Sequence, residues 1–238
     1  MANFPFQRLQ ADLAALINKT PAGQRLPSEP DLAKQLGVSR ATLREAMRSF
    51  ETQGLIRRRQ GSGTFVVGKV QALDSGLEVL ESLDTIAKRM GLEVSVSDLN
   101  VETVTADEEL AASFGISAGS KLTRVRRVIR AESRPVAYLV DVLPEDVLQS
   151  KDLPSDFNGS VLDFLLNRGD ALTSSRANVS AIGASADVAK PLEIQRGDVL
   201  LHFNALLFDA NSRLVDASLS YFIPGYFHFH IVRRVGGG

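Results

Sequence analysis

The chain contains no cysteine, which removes disulfide frameworks and thiolate chemistry. It has no apolar run near the roughly 20 residues of a membrane-spanning helix. The longest candidate, VLLHFNALLF from Val199, reads as a buried strand. The opening MANFPFQRLQADL places an acid and several polar residues where a secretory signal would have its apolar core. A cytoplasmic location and no membrane partner are therefore expected. Tandem repeats are absent, as are a nucleophile–base constellation and a phosphate-cradling loop, so an enzyme is not expected and no cofactor is implied. His228 and His230 share a strand face and His202 lies on another strand. Two imidazoles at that spacing suit a metal, but the sequence identifies no third ligand, and no metal site is assigned.

What is present is a length of 238 residues, 44% of them apolar, enough for a small and a medium domain with packed cores. The net charge of −1 conceals an asymmetry. Residues 1–70 hold 11 basic and 5 acidic side chains, and the remainder holds 16 and 23. A basic head on an acidic body points to a polyanion at one end only.

The head carries a dense pattern. Leu9, Leu13, Leu16 and Ile17 keep helical spacing, predicting a helix over about Phe6–Asn18. Gly23 to Pro27 makes a turn. Ser28 offers an N-cap to a second helix that Gly37 stops, and Ser39 caps a third that ends at Gly54. Leu43, Ala46, Met47 and Phe50 form the buried stripe of that third helix. Its opposite face presents Arg40, Thr42, Arg44, Glu45 and Arg48. Strands at Leu55–Arg59 and Thr64–Val67 flank a glycine-bearing tip, Gln60 to Gly63. The order is that of a winged helix-turn-helix, in which the start of the third helix meets base edges in the major groove. Arg40 and Arg44 lie one turn apart, with guanidinium forks suited to guanine or phosphate. Thr42 suits a thymine methyl or a phosphate, Ser28 and Ser39 are natural phosphate clamps, and Arg48 extends the same face. In the wing, Arg58, Gly61, Ser62, Gly63 and Thr64 complete the expected interface, with Arg58 on phosphate.

The stretch LPSEPDLAKQLGVSRATLREAMRSFETQGLIRRRQGSGTFV closely resembles the DNA-binding domain of the GntR superfamily of bacterial repressors. The resemblance implies DNA contacts at Arg25, Ser28, Glu29, Arg40, Thr42 and Arg44, and a wing tip at Gly63 that enters the minor groove. It also implies a homodimer on a palindromic operator of double-stranded DNA, protein symmetry matching DNA symmetry.

The body reads as an α+β domain built on an antiparallel sheet. A linker is expected over 69–76, and the body over 77–235, with the head ending at 68. Helices are predicted over Leu77–Met90, Asp107–Phe114 and Val161–Asn167. Strands are predicted over Val94–Val104, Lys121–Ala131, Pro135–Leu143, Thr173–Ile182, Asp198–Phe208, Arg213–Ile223 and Tyr226–Val235. The stretches RVRRVIRAESRPVAYLVDVLP, GSVLDFL and LVDASLSYFIPGYFHFHIVRR resemble the UTRA effector domain of the HutC-like branch. That resemblance implies a chorismate-lyase-like fold that binds a small-molecule effector and is usually inert as a catalyst. An alternative function is a DNA-tethered enzyme retaining lyase-like chemistry. Carried over, the effector positions are Ser82, Arg127, Ile129, Leu139, Ser160, Asp216 and Tyr221, with Arg176 as a further source of positive charge. Ile129 stands where sugar-phosphate-sensing members have a second arginine, and Leu139 where they have a glutamate. Losing one bidentate arginine from a partly buried anion site costs about 1.5–3 kcal/mol. The expected effector is therefore less anionic or more apolar than a phosphosugar.

Overall fold

The computed structural model describes residues 4–59, 62–67, 73–155 and 157–232. The chain forms two compact units. One takes residues up to 72 together with Pro224–His228, and the other takes Leu73–Ile223 and the chain from Phe229.

In the first unit, α1 (Phe4–Lys19), α2 (Glu29–Gln35) and α3 (Arg40–Thr52) precede the hairpin of β1 (Ile56–Arg59) and β2 (Gly63–Val66). Ser28 caps α2 through the Asp31 amide, and Ser39 caps α3 through the Thr42 amide at 3.1 Å. These bonds satisfy amides that the first helical turn leaves unpaired. Leu43, Ala46, Met47 and Phe50 are buried on one stripe of α3, and they join Leu9, Leu13 and Ile17 of α1 in a single core. The segment expected as a simple turn before α2 does more. Gly23 and Leu26 donate to the Val66 and Thr64 carbonyls at 2.8 Å, so Arg25 is bridged to Phe65 as a third strand of the wing.

The second unit contains β3 (Leu73–Gly76), α4 (Leu83–Arg89), β4 (Val94–Thr105), α5 (Glu108–Phe114), β5 (Lys121–Ala131) and β6 (Arg134–Pro144). After a 3-10 turn at Ser150–Asp152 come α6 (Val161–Arg168), β7 (Leu172–Gly183), α7 (Ala186–Ala189), β8 (Val199–Asp209) and β9 (Leu214–Phe222), followed by β10 (Phe227–His230), of which Phe227 and His228 fall in the first unit. Six strands form an antiparallel sheet in the order β4-β5-β6-β9-β8-β7. The turn between β5 and β6 holds Glu132 and Ser133 at φ 48° and 66°, the left-handed pair that a tight hairpin demands.

Strand alternation gives the sheet two faces. On one, Val125, Leu143 and Leu207 pack against Val161 and Leu165 of α6. On the other, Leu122, Val142, Leu206 and Ala217 pack against Ala111 and Phe114 of α5. The two edge strands differ. β4 is interrupted by a register shift between Ser97 and Asn100, with Asp98 at φ 52°. β7 pairs with β8 continuously from Ser174 to Gly183, and most of its residues are exposed.

Three expectations need correction. The second half of the proposed linker is strand β3, which pairs with β10. The first body helix begins at Leu83 rather than Leu77, because Ser82 captures the Thr85 amide at 3.0 Å and sets the start of the helix. The last strand is Phe227–His230, with Tyr226, Ile231 and Val232 of the expected strand outside it, while residues 233–235 of that expectation lie outside the described residues. No helix among the described residues is long and apolar enough to cross a membrane.

Candidate nucleic-acid interface and ligand cavity

The start of α3 presents Arg40, Thr42 and Arg44 to solvent, while Leu43 between them is buried. Arg44 does not hang free: its Nε donates to Glu29 Oε2 at 2.6 Å. Glu29 stands in the first turn of α2, so the ion pair joins the two helices of the motif and fixes the direction of the Arg44 fork. The Ser39 and Thr42 hydroxyls share a hydrogen bond at 2.8 Å. Ser28 is half-buried at its cap, and half-buried Arg48 lies 3.4 Å from Glu45. In the wing, Ser62 is exposed at the tip, and Gly61 lies outside the described residues. Gly63 adopts φ +108°, and a Cβ there would run into the Arg25 guanidinium. Glycine thus serves both the turn and the passage of exposed Arg25 across the wing.

Two expected DNA contacts are turned inward. Thr64 is 6% exposed, and its carbonyl takes the Leu26 amide at 2.8 Å, so it belongs to the wing's frame. Arg58 lies 3.5 Å from Glu51 and 3.9 Å from Glu29, and donates to the Arg44 carbonyl at 3.2 Å. Its own amide donates to Glu51 at 3.1 Å. Alternation along β1 sends Arg58 to the helix side, where it braces α2 and α3.

In the second unit a cavity of roughly 1120 Å³ opens over the α6 face of the sheet. Its floor holds a diagonal run of three charged side chains. Arg127 on β5 donates to Asp141 on β6, and Asp216 on β9 follows one strand further. All three are buried, at 7%, 7% and 5% exposure. Asp216 is hydrogen-bonded to the Asp141 side chain and the Val142 backbone, while its Oδ1 has no partner among the described residues. Burial, and then the neighbouring Asp141 charge, push the Asp216 carboxyl well above the usual carboxylate range, against a smaller opposing pull from Arg127. Asp216 therefore favours its neutral form more than an ordinary aspartate does, beside the Arg127–Asp141 ion pair. Gly159, at φ +90°, lets the Arg127 stem pass; a Cβ there would stand 2.9 Å from Arg127 Cδ.

Ile129 and Leu139 line the same cavity, replacing charge with apolar surface. Ser82 and Ser160 reach its wall, but both hydroxyls donate to one oxygen, Asp163 Oδ2, at 2.6 and 2.8 Å. Arg176 and Tyr221 are misplaced by the carry-over. Arg176 faces away, between the lining residues Ser175 and Ala177 and opposite Leu206 of the α5-side core. Tyr221 stacks between His202 at 4.8 Å and Tyr138 at 6.1 Å, while its neighbours Ser220 and Phe222 line the cavity. Residues 216 and 221 have opposite parity on one strand, so they occupy opposite faces. Burial lowers the His202 pKa in that stack. The residues that the carry-over missed are Asp141, Gly159 and Asp163. Asp141 was legible: it sits two residues from Leu139 on the same strand face.

A winged helix-turn-helix joined to a domain with an internal ligand cavity is the layout of a ligand-responsive DNA-binding regulator. Residues 6–66 match the bacterial regulatory proteins of the gntR family, and residues 89–228 match the UTRA domain. The chain belongs to the gntR family, as a member carrying a UTRA domain. It is 30% identical over 178 residues to the HTH-type transcriptional repressor NagR of Bacillus subtilis, covering 74% of this chain and 72% of the relative. It is 27% identical over 220 residues to the HTH-type transcriptional regulator Rv0792c of Mycobacterium tuberculosis, covering 90% and 79%. Its fold matches the crystal structure of PhnF from Mycobacterium smegmatis with a TM-score of 0.66 and 23% identity, over 96% of this chain and 100% of that one. These relatives are regulators by name, and a DNA-tethered enzyme finds no support among them.

The two inward arginine and aspartate networks each carry a prediction. Arg58→Ala should lower the unfolding free energy in denaturant titration by about 1 kcal/mol and leave the salt slope of DNA affinity unchanged. A fall of about one in that slope would return Arg58 to phosphate. Asp216 prefers its neutral form in the folded chain, so stability is lost as pH climbs from about 4, where an ordinary aspartate ionises, toward its own raised value. Asp216→Asn has no such proton. Its melting temperature relative to the parent should rise as pH climbs above about 4; a constant difference would mean that the Asp216 pKa is not raised by folding.

Proposed function

We propose that this regulator is a repressor that holds a palindromic operator as a homodimer in the cytoplasm and releases it when a small molecule enters the UTRA cavity. The observation that carries the DNA half is the exposed Arg40–Thr42–Arg44 face at the start of α3, with Arg44 aligned by Glu29. Arg44 reads a base edge bidentately, Arg40 and the capped helix starts hold phosphate, and Arg25 follows the wing into the minor groove. Glu29 is a positioning residue, because a carboxylate facing phosphate would repel it. The repressor names of NagR and of the probable fructoselysine utilization operon transcriptional repressor of Escherichia coli support the direction of control. Release requires that the effector bind the DNA-incompetent state more tightly than the competent one.

Selection from a random duplex pool at near-physiological salt tests this directly. One short palindrome should emerge, with the protein sedimenting on it as two chains. A single non-repeated half-site would overturn the homodimer, and an unenriched pool would overturn base reading. On the selected site Arg44→Ala should cost about 1–3 kcal/mol and relax preference at one position in each half-site. An equal loss on every sequence would reassign Arg44 to phosphate.

A further inference from the structure

On the cavity side of the sheet, the register sets side chains of successive strands next to one another in rows. One row runs from Asp141 on β6 through Ser218 on β9 and Ala205 on β8 to Ala177 on β7. The row on one flank carries Ser220, Phe203 and Val179, and the row on the other carries Leu207 and Ser175. All of these residues line the cavity. Between Phe203 and Leu207 the methyl of Ala205 leaves a trough, and Ala177 continues it to the sheet edge, where that residue is exposed. Phe203 is a fixed wall, because its ring packs on Phe222 and Phe229 with centroids 5.3 and 4.9 Å away. From β9 to β7 the trough crosses two inter-strand spacings, about 10 Å, room for roughly seven methylenes.

Polar and apolar groups are segregated along this trough. At its inner end the Ser218 and Ser220 hydroxyls make no hydrogen bond among the described residues, and of the Arg127 guanidinium only Nη1 is engaged, by Asp141. Further out, Ala205, Ala177, Phe203, Val179 and Leu207 offer no polar side-chain atom, and Ser175 stands exposed at the rim, where solvent meets it. A polar group of a ligand would lose water there without gaining a partner. A hydrocarbon chain would instead cover apolar surface that now faces solvent, Val179 being 47% exposed. We infer that the cavity takes an elongated amphipathic molecule, with one hydrogen-bonding end at Ser218 and Ser220 beside Arg127 and an unbranched hydrocarbon chain in the Ala205–Ala177 trough, directed at the β7 edge. This assignment rests on the cavity being the effector site.

Titration of the full chain with n-hexanol, n-octanol and n-decanol tests it, since the three share one neutral head and differ only in chain length. Each added pair of methylenes should tighten binding about tenfold. Ala205→Leu fills the trough and should flatten that dependence. Ala177→Leu closes the outer end from an exposed position, which keeps the test decisive if the first variant folds poorly, and should penalise decanol more than hexanol. Ser218→Ala should instead weaken all three alike, about threefold to tenfold. Affinities that do not climb with chain length, or that climb as steeply in both leucine variants, overturn the trough and leave the effector reading in place. Operator affinity with and without saturating decanol separates the two readings. A chain-length dependence that the leucine variants abolish, with operator binding unchanged by decanol, keeps the trough and overturns the cavity as the effector site.

Discussion

A guanidinium can be buried beneath a cavity only if a counter-charge is buried with it. The second unit is organised around that requirement. Arg127 needs Asp141 on the next strand, and burial, with the Asp141 charge second, raises the pKa of Asp216 one strand further. The stem of Arg127 occupies the space a side chain at position 159 would need, so Gly159 must be glycine and must turn with positive φ. The turn delivers Ser160 to the start of α6, where its partner Asp163 also takes Ser82, the cap of α4. One electrostatic demand in the sheet therefore positions the start of each helix that borders the cavity.

The first unit solves a related problem at its surface. Exposed arginines are floppy, and a reading helix needs them aimed. Glu29 holds Arg44, and Glu29 and Glu51 together flank Arg58. The Arg44 side chain is 56% exposed against 19% at Glu29, so the arginine is the outer member of the pair. The pair already restricts the Arg44 side chain in the free protein, which lowers the entropy cost of any contact it makes.

The helix-turn-helix was legible because its signals are local. Caps at Ser28 and Ser39, the stripe Leu43–Ala46–Met47–Phe50 and the glycine-bearing wing all act within a few residues. The inward turn of Arg58 was hidden, since it depends on Glu29 and Glu51, which only folding brings beside it. In the effector unit the order of helices and strands was readable, whereas the start of α4 was not: a 3.6-residue rhythm runs upstream of Ser82, but the serine's bond to the Thr85 amide decides where the helix begins. Asp216 and Arg127 were reached by resemblance, and Tyr221 by the same route was carried to the wrong face. The parity of strand positions would have prevented that error, because alternation is a stricter constraint than likeness. Asp141 stood in plain view on the strand, but nothing in a linear sequence says that its charge lies diagonally across from Arg127.

The sheet's two ends are not equivalent. The left-handed Asp98 and its bulge break the outer ladder of β4, whereas β7 runs ten residues from Ser174 to Gly183 with its outer amides and carbonyls uncovered by any other described strand. Such an edge is a template on which another extended chain can grow. Its polar residues Ser174, Ser175, Arg176, Asn178 and Ser180 are interleaved with Ala177, exposed Val179 and Ala181, and Arg176 supplies its one charge. Hydrophobic replacement of those polar residues would turn a solvated margin into a seed for fibrous association.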